Sequence, residues 1–398
     1  FEAAASTYTA TSYDSTNQKI IIAYKDEGNS NYGTAVVGTV SGTSISFGSA
    51  VVFESAATQF IASTYDSTSE KVVVAYTDAT NSGYGTAIVG TVSGTSISFG
   101  SATVFESANT GDISAAYDAN SGKVVVSYFD SANSSYGTAV VGTVSGTSIS
   151  FGSATVFNSA QSDSNFVTYD SNAQKVVIAY RDRGNSSYGT AIVGTVSGTS
   201  ISFGAESVFN SNLSTDVSSA YDANAQKVVI AYRDYGNSSY GTAVVGTVSG
   251  TNISFGSATV FNAGTSDNMA VVYDANAQKI VIPYTDTANS NYGTLVVGTI
   301  SGTSISFGAE TVFEAATATG ISSAYDANTG KVVISYTDAT NSSYGTSVVF
   351  QNASTSTNNT DFIGITAEAI SSAATGAVNV YGGINAVQTG LTIASDYY

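Results

Sequence analysis

The 398-residue chain has no histidine, no cysteine and no tryptophan, a single proline, and only 11 lysines and arginines against 29 aspartates and glutamates. Each shortage excludes something. Without histidine there is no imidazole base and no imidazole metal ligand. Without cysteine there is no thiol nucleophile, disulfide, zinc-thiolate or iron–sulfur centre. A net charge of −18 with so few cations disfavours nucleic acid, because binding there scales with the phosphates neutralised. It equally disfavours docking on an anionic membrane. No apolar run approaches the ~18 residues that span a bilayer, so membrane insertion is not expected. What is abundant is 42% hydrophobic residues, with 26 tyrosines, 18 phenylalanines and 39 glycines. That composition fills a core and is not that of a disordered chain.

The dominant feature is an internal repeat. Tyr-Asp recurs at Tyr13, Tyr65, Tyr117, Tyr169, Tyr221, Tyr273 and Tyr325, each step 52 residues without insertion or deletion. A lysine follows each time, from Lys19 and Lys71 to Lys331, then an aspartate, then Tyr-Gly-Thr. Six copies continue Gly-Thr-Val/Ile-Ser-Gly-Thr-x-Ile-Ser-Phe-Gly; the seventh diverges after Val349.

Inside a unit the period is 2, not 3.6. In the second copy the segments 59–65, 71–76, 86–92 and 96–105 read as four strands, joined by turns of Ser, Asn, Asp and Gly. The middle two are continuous Val/Ile runs, which requires cover on both faces. Small four-stranded sheets stacked around an axis satisfy that, and the count falls within the usual range of about 4–8 blades. The expected fold is an all-β, seven-bladed β-propeller of four-stranded blades over 1–352, a polar linker over 353–360, and a small C-terminal β element over 361–398. The seventh copy has no Ile-Ser-Phe-Gly strand, and the chain opens on Phe1-Glu2, one period before Phe53-Glu54. The missing strand can come from 361–370, from a neighbouring subunit, or from nothing; 361–370 is the preferred filler.

The stretch from Phe362 to Tyr398, with Gly390-Leu391-Thr392 and Tyr397-Tyr398, resembles a module near the C-termini of tailed-phage fibre and other virion surface proteins. The repeat array more loosely resembles β-repeat proteins of viral and bacterial surfaces. These resemblances imply display and attachment rather than chemistry, in an extracellular setting on a virion or surface appendage.

Candidate binding residues form an Asp-x-x-Asn column between the second and third strands: Asp26/Asn29, Asp78/Asn81, Asp130/Asn133, Asp182/Asn185, Asp234/Asn237, Asp286/Asn289 and Asp338/Asn341. Oxygen ligands three apart could hold Ca²⁺ or sugar hydroxyls; Asx-type turn capping competes as an explanation, and no cofactor is otherwise implied. Asp66 and Lys71 bracket a hairpin and could pair across it. Tyr76 and Tyr84 could stack on sugar rings or lie in the core. Arg181, Arg183 and Arg233 are the only arginines and fall in adjacent copies. Asn-x-Ser/Thr sequons such as Asn212, Asn252, Asn352 and Asn358 are expected from composition. Two Asp columns hold 14 of the 29 acidic residues, and seven equivalent carboxylates suit multivalent binding better than the asymmetric pair that hydrolysis needs. The functional expectation is a non-enzymatic fibre or receptor-binding protein displaying repeated weak glycan-binding surfaces. A filament subunit joined by strand exchange is the alternative, and a polysaccharide-degrading enzyme the weaker one. Expected partners are other fibre subunits and cell-surface glycans.

Overall fold

The structure, a computed structural model, describes residues 1–352 and the short strands Ile365–Thr366 and Val378–Asn379. It divides into one compact unit, Phe1–Asn352, and a second, Ala353–Tyr398.

The first unit is an all-β ring. Its opening elements are β1 (Glu2–Asp14), β2 (Lys19–Asp26), β3 (Tyr32–Ser41), β4 (Ser44–Phe47) and β5 (Val51–Asp66). All pairings are antiparallel: β1 with β2 from Asp14↔Lys19, β2 with β3 from Asp26↔Tyr32, and β3 with β4 from Ser41↔Ser44. This pattern recurs in the first six copies, and the seventh carries its first two pairings. β2 shows why blades must stack. Ile20, Ile21 and Ile22 are all fully buried, although successive side chains point to opposite faces. Ile21 and Ala23 join Val72, Val74 and Tyr76 of the following sheet, while Ile20, Ile22 and Tyr24 join Ala324 and Val333 of the last one. Each buried Val or Ile contributes about 1.5–3 kcal/mol, so neither face can be left to water. Further clusters of the same kind join the successive sheets between.

The fourth strand departs from expectation. The predicted 96–105 strand is broken at Gly100–Ala102 into Ser96–Phe99 and Thr103–Asp118. The latter is 16 residues long and crosses between sheets. Its first half pairs with Tyr84–Ser93 of one blade and its second half with Lys123–Asp130 of the next. The outer edge of each of the first six blades therefore comes from two segments.

The ring closes through the N-terminal segment. Glu2 pairs with Gly345 and Ala5 with Tyr344, the Phe1 ammonium donates to the Gly345 carbonyl at 2.7 Å, and Ser6 N donates to Ser343 O at 3.0 Å. Phe1 takes the place that Phe53 holds in the first blade, beside the equivalent Tyr-Gly-Thr glycine. The preferred filler, 361–370, lies almost wholly outside the described residues; its described part, Ile365–Thr366, pairs with Val378–Asn379.

Tyrosines stitch neighbouring blades. Tyr65 Oη donates to Thr16 Oγ1 at 2.7 Å, and Asn120 N donates to Tyr169 Oη at 3.1 Å. The expected Asp66–Lys71 ion pair does not form: Asp66 accepts from Thr68 N and Ser69 N, and Lys71 Nζ points to the Glu70 carbonyl at 3.4 Å. Capping two amides holds the carboxylate against its own turn, and an exposed ion pair offers at most about 1 kcal/mol in exchange.

Candidate functional site at the axial mouth

The innermost strand of each blade carries a bulge. Thr7 pairs with Lys25 and Ala10 with Ala23, so Tyr8 and Thr9 together oppose Tyr24. The first bulge residue is left-handed in every copy: Tyr8 (φ 53°), Phe60 (46°), Asp112 (47°), Ser164 (51°), Asp216 (52°), Asn268 (50°) and Gly320 (55°). Only the last is the residue type that adopts this region without penalty. Tyr8, Phe60 and Ser164 each cost about 1–2 kcal/mol there, and Asp112, Asp216 and Asn268 less; bulges of this kind re-aim side chains. Here they turn two residues per blade toward the ring axis, where they line one cavity of about 270 Å³.

The cavity is not seven-fold symmetric in chemistry. On one side the Tyr8 and Phe60 rings lie 5.3 Å apart between centroids, and Phe129 stands 6.5 Å from Phe60. On the other side Asp112 accepts from Ser164 N at 3.0 Å and Asp216 from Asn268 N at 3.1 Å, each reaching across to the following blade. The second bulge residues form a mainly apolar floor, including Ile61, Ile113, Val217 and Met269, interrupted by Thr9 and Asn165. Asn165 is 6% exposed, and neither its Nδ2 nor its Oδ1 has a hydrogen-bond partner.

The three arginines frame the acidic side. Arg181 and Arg183 both bind Asp163, the former through Nε at 3.0 Å, and Arg233 binds Asp267. They meet carboxylates of their own chain rather than standing free for an acidic ligand. Burial pushes the Asp112 carboxyl above the usual carboxylate range; the Ser164 amide opposes this, Asp163 adds to it, and Arg181 and Arg183 oppose it. Asp267 is likewise raised, first by burial and then by Asp216, against Arg233.

The Asp-x-x-Asn loops surround this mouth, since Asp26 is one residue beyond the Lys25 partner of the bulge. Their carboxylates cap the loops. Asp26 accepts from Asn29 N at 3.0 Å, Asp78 from Thr80 N and Asn81 N, Asp130 from Ala132 N, and Asp338 from Thr340 N and Asn341 N. Asp182, Asp234 and Asp286 also accept from Asn158, Asn210 and Asn262 side chains. The paired asparagines, Asn29, Asn81, Asn133, Asn185, Asn237, Asn289 and Asn341, are exposed. Among the described residues no group of three or more acidic side chains is placed to hold a metal ion, so the geometry gives the Asp column a turn-capping role. Tyr76 is fully buried, its phenol donating to Glu54 at 2.8 Å, and Tyr84 is half-buried.

The sequence reading overlooked the axial ring, yet its signal is present. Laid in 52-residue register, the column from Tyr8 to Gly320 holds six residue types in seven copies, and the column of Lys25, Thr77, Phe129, Arg181, Arg233, Thr285 and Thr337 holds four. The Tyr-Asp and Tyr-Gly-Thr columns hold one each. Divergence among near-identical copies marks the place where the copies face one shared centre.

The raised carboxyls have a consequence for stability. Asp26, Glu106, Asp112, Asp222 and Asp267 all lie above their ordinary values, chiefly through burial, and only Glu27 is lowered. A carboxyl raised on folding binds protons more readily in the folded state. Its contribution is present below the unfolded value and lost as pH rises through the folded one. Thermal melts should therefore show a higher Tm near about pH 4, at the unfolded carboxyl values, than near about pH 6; a Tm that falls over the same acidification contradicts the assignment.

No protein-family profile matches the chain, and no curated protein matches it in sequence. Among solved structures, the BP39L lectin from Burkholderia pseudomallei is similar with a TM-score of 0.63 over 89% of this chain and 98% of its own, at 9% identity. AofleA from Arthrobotrys oligospora gives 0.48 over 78% and 89%, at 9% identity. The SapL1 lectin, solved in complex with alpha methyl fucoside, gives 0.44 over 74% and 92%, at 11% identity. The first of these likenesses, in which nearly the whole of a lectin propeller matches nine-tenths of this chain, shows the fold: an all-β propeller of repeated antiparallel blades.

Proposed function

We propose that the propeller is a non-enzymatic glycan-binding head displayed at an extracellular surface, on a virion fibre or a cell-surface appendage. The observation that carries this reading is the axial mouth. It combines aromatic faces, buried polar groups and an apolar floor in one concave site, the composition of small-ligand pockets, while the Tyr-Asp and Tyr-Gly-Thr columns of each repeat are invariant. The exposed asparagines around it supply further weak polar contacts, and contacts repeated around a ring gain by avidity. The acidic groups outside the cavity lining favour binding over hydrolysis. Asp163 and Asp267 are held by arginines and the Asp-x-x-Asn carboxylates by their own turns, so neither set offers a free acid and base. The resemblance of 362–398 to fibre modules supports the virion setting.

A glycan array probed with the intact protein tests this. Retention of intact glycans, without release of reducing sugar, is the expected result; a blank array overturns the reading, and release of sugar reassigns the protein as a hydrolase. Protein adsorbed to whole cells provides the surface test.

One observation favours self-assembly as a second role. Among the described residues the outer edge of Tyr344–Phe350 is paired only at its first two positions, whereas in the other blades this edge is covered by two segments. An open edge templates strand addition. Electron microscopy of concentrated protein should then show filaments; monodisperse rings count against it.

A further inference from the structure

We infer that the axial cavity is a single binding site, one per ring, for an amino sugar: a monosaccharide unit bearing both hydroxyls and an ammonium group. The inference rests on the glycan-binding reading and specifies its ligand.

Three features of the cavity select this chemistry. The first is Asn165, whose amide is more than nine-tenths buried with its donor and its acceptor both unpartnered. A buried unsatisfied amide costs about 1–3 kcal/mol, and a sugar hydroxyl, which both donates and accepts, satisfies both ends. The second is charge. The lining includes Asp112 and Asp216 and no lysine or arginine. The nearby cations are engaged: Arg181 and Arg183 by Asp163, Arg233 by Asp267, and Lys25, whose Nζ lies 5.8 Å from the Tyr8 ring centroid, by Glu27. Asp112 and Asp216 each accept one backbone amide, which leaves carboxylate oxygen free to receive a cationic donor. Hydrogen bonds between ionised partners are the strong ones, and the same field repels uronic and other anionic sugars. The third is the Tyr8 ring, 37% exposed and leaning on Phe60, an aromatic face for the apolar face of a pyranose. Because the seven bulges carry six residue types in no repeating order, a ligand on the axis meets one arrangement only, which fixes one orientation and one copy per ring.

Isothermal titration of the full chain at neutral pH tests the assignment, with glucosamine, glucose, glucuronate and free lysine as probes. Glucosamine should bind with a stoichiometry of one, about tenfold more tightly than glucose, equivalent to about 1.4 kcal/mol, and should weaken as salt is added. Glucuronate should not bind. The isosteric pair Asp112→Asn with Asp216→Asn should abolish the preference over glucose, and Tyr8→Ala, at the exposed rim, should weaken all sugars alike. Asn165→Ala should weaken both sugars while a melting temperature that does not fall reports an intact ring. A stoichiometry near seven, equal affinity for glucosamine and glucose, or equal affinity for lysine overturns the inference. If the array binds glycans and glucosamine fails, the glycan reading stands and the axial amino-sugar site falls. If the array is blank as well, both fall.

Discussion

Gly152→Ala is expected to destabilise the propeller severely, while Gly308→Ala, at the same place in the repeat, leaves the melting temperature nearly unchanged. The two glycines end identical Ile-Ser-Phe-Gly strands. A Cβ on Gly152 would stand 1.9 Å from the carbonyl oxygen of Thr199 in the next blade, 2.9 Å from its carbon and 3.0 Å from its Cβ. The obstacle is backbone, so no side-chain rotation relieves it. Either Ser200–Phe203 shifts or the two blades separate, and both disturb a cluster of fully buried valines and isoleucines. Overpacking a well-filled interior typically costs about 1–3 kcal/mol; with main chain as the obstacle the upper end or beyond applies. Gly48, Gly100, Gly204 and Gly256 face the same obstruction at 1.8–1.9 Å. At Gly308 the nearest atom is the Val297 carbonyl oxygen at 3.8 Å, because the seventh copy has no Ile-Ser-Phe-Gly hairpin to press against it. Parallel thermal melts of the two variants decide the matter. Equal losses would mean that glycine serves here for some reason other than the approach of the next blade.

That comparison also marks what could be read from residues alone. The repeat length, the strand content and the burial of the middle strands on both faces follow from local pattern: Ile20-Ile21-Ile22 cannot be one face of a solvated sheet. The turn-capping role of the Asp column was legible for the same reason, since an Asp followed by two or three small polar residues satisfies its own turn. The break at Gly100–Ala102 was not legible. It recurs at Gly308–Glu310, where no hairpin of a following blade approaches, and it lies where the chain leaves one blade to pair with the next, a partnership that no local pattern announces. The axial site was missed for a related reason. No single copy contains it, and Tyr8, Asp112 and Asn165 are separated by more than a repeat. They meet only because the ring closes, and a reading that emphasised what the copies share passed over the columns in which they differ.

Closure itself gives the second large expectation. Deleting residues 1–6 should open the ring and lower the melting temperature more than any single substitution at that seam. At the junction of last and first blades, no chain segment joins the outer strand Tyr344–Phe350 to the N-terminal strand that crosses into the first blade; the link is noncovalent. The deletion removes the Glu2↔Gly345 and Ala5↔Tyr344 pairings, the 2.7 Å bond from the terminal ammonium to Gly345, and the Glu2 acceptor that satisfies the buried Tyr24 phenol at 2.8 Å. It removes the Phe1 ring, set 5.2 Å from Tyr24 and 6.0 Å from Phe47. It also takes away the Ser6 carbonyl that receives Thr337 Oγ1. Losing a core phenylalanine alone costs about 3–5 kcal/mol, and because Phe1 is half-buried the low end applies to Phe1→Ala. Leaving Tyr24 without an acceptor adds about 1–3 kcal/mol, and the bared edge of Tyr344–Phe350 becomes a template for association. Phe1→Ala should therefore lower Tm by several degrees and keep a single sharp transition, while the deletion should broaden the transition and shift the protein toward higher oligomers in light scattering. A deletion that melts like the intact chain and stays monomeric would show that the blade faces alone hold the ring, with strand pairing at the seam contributing little.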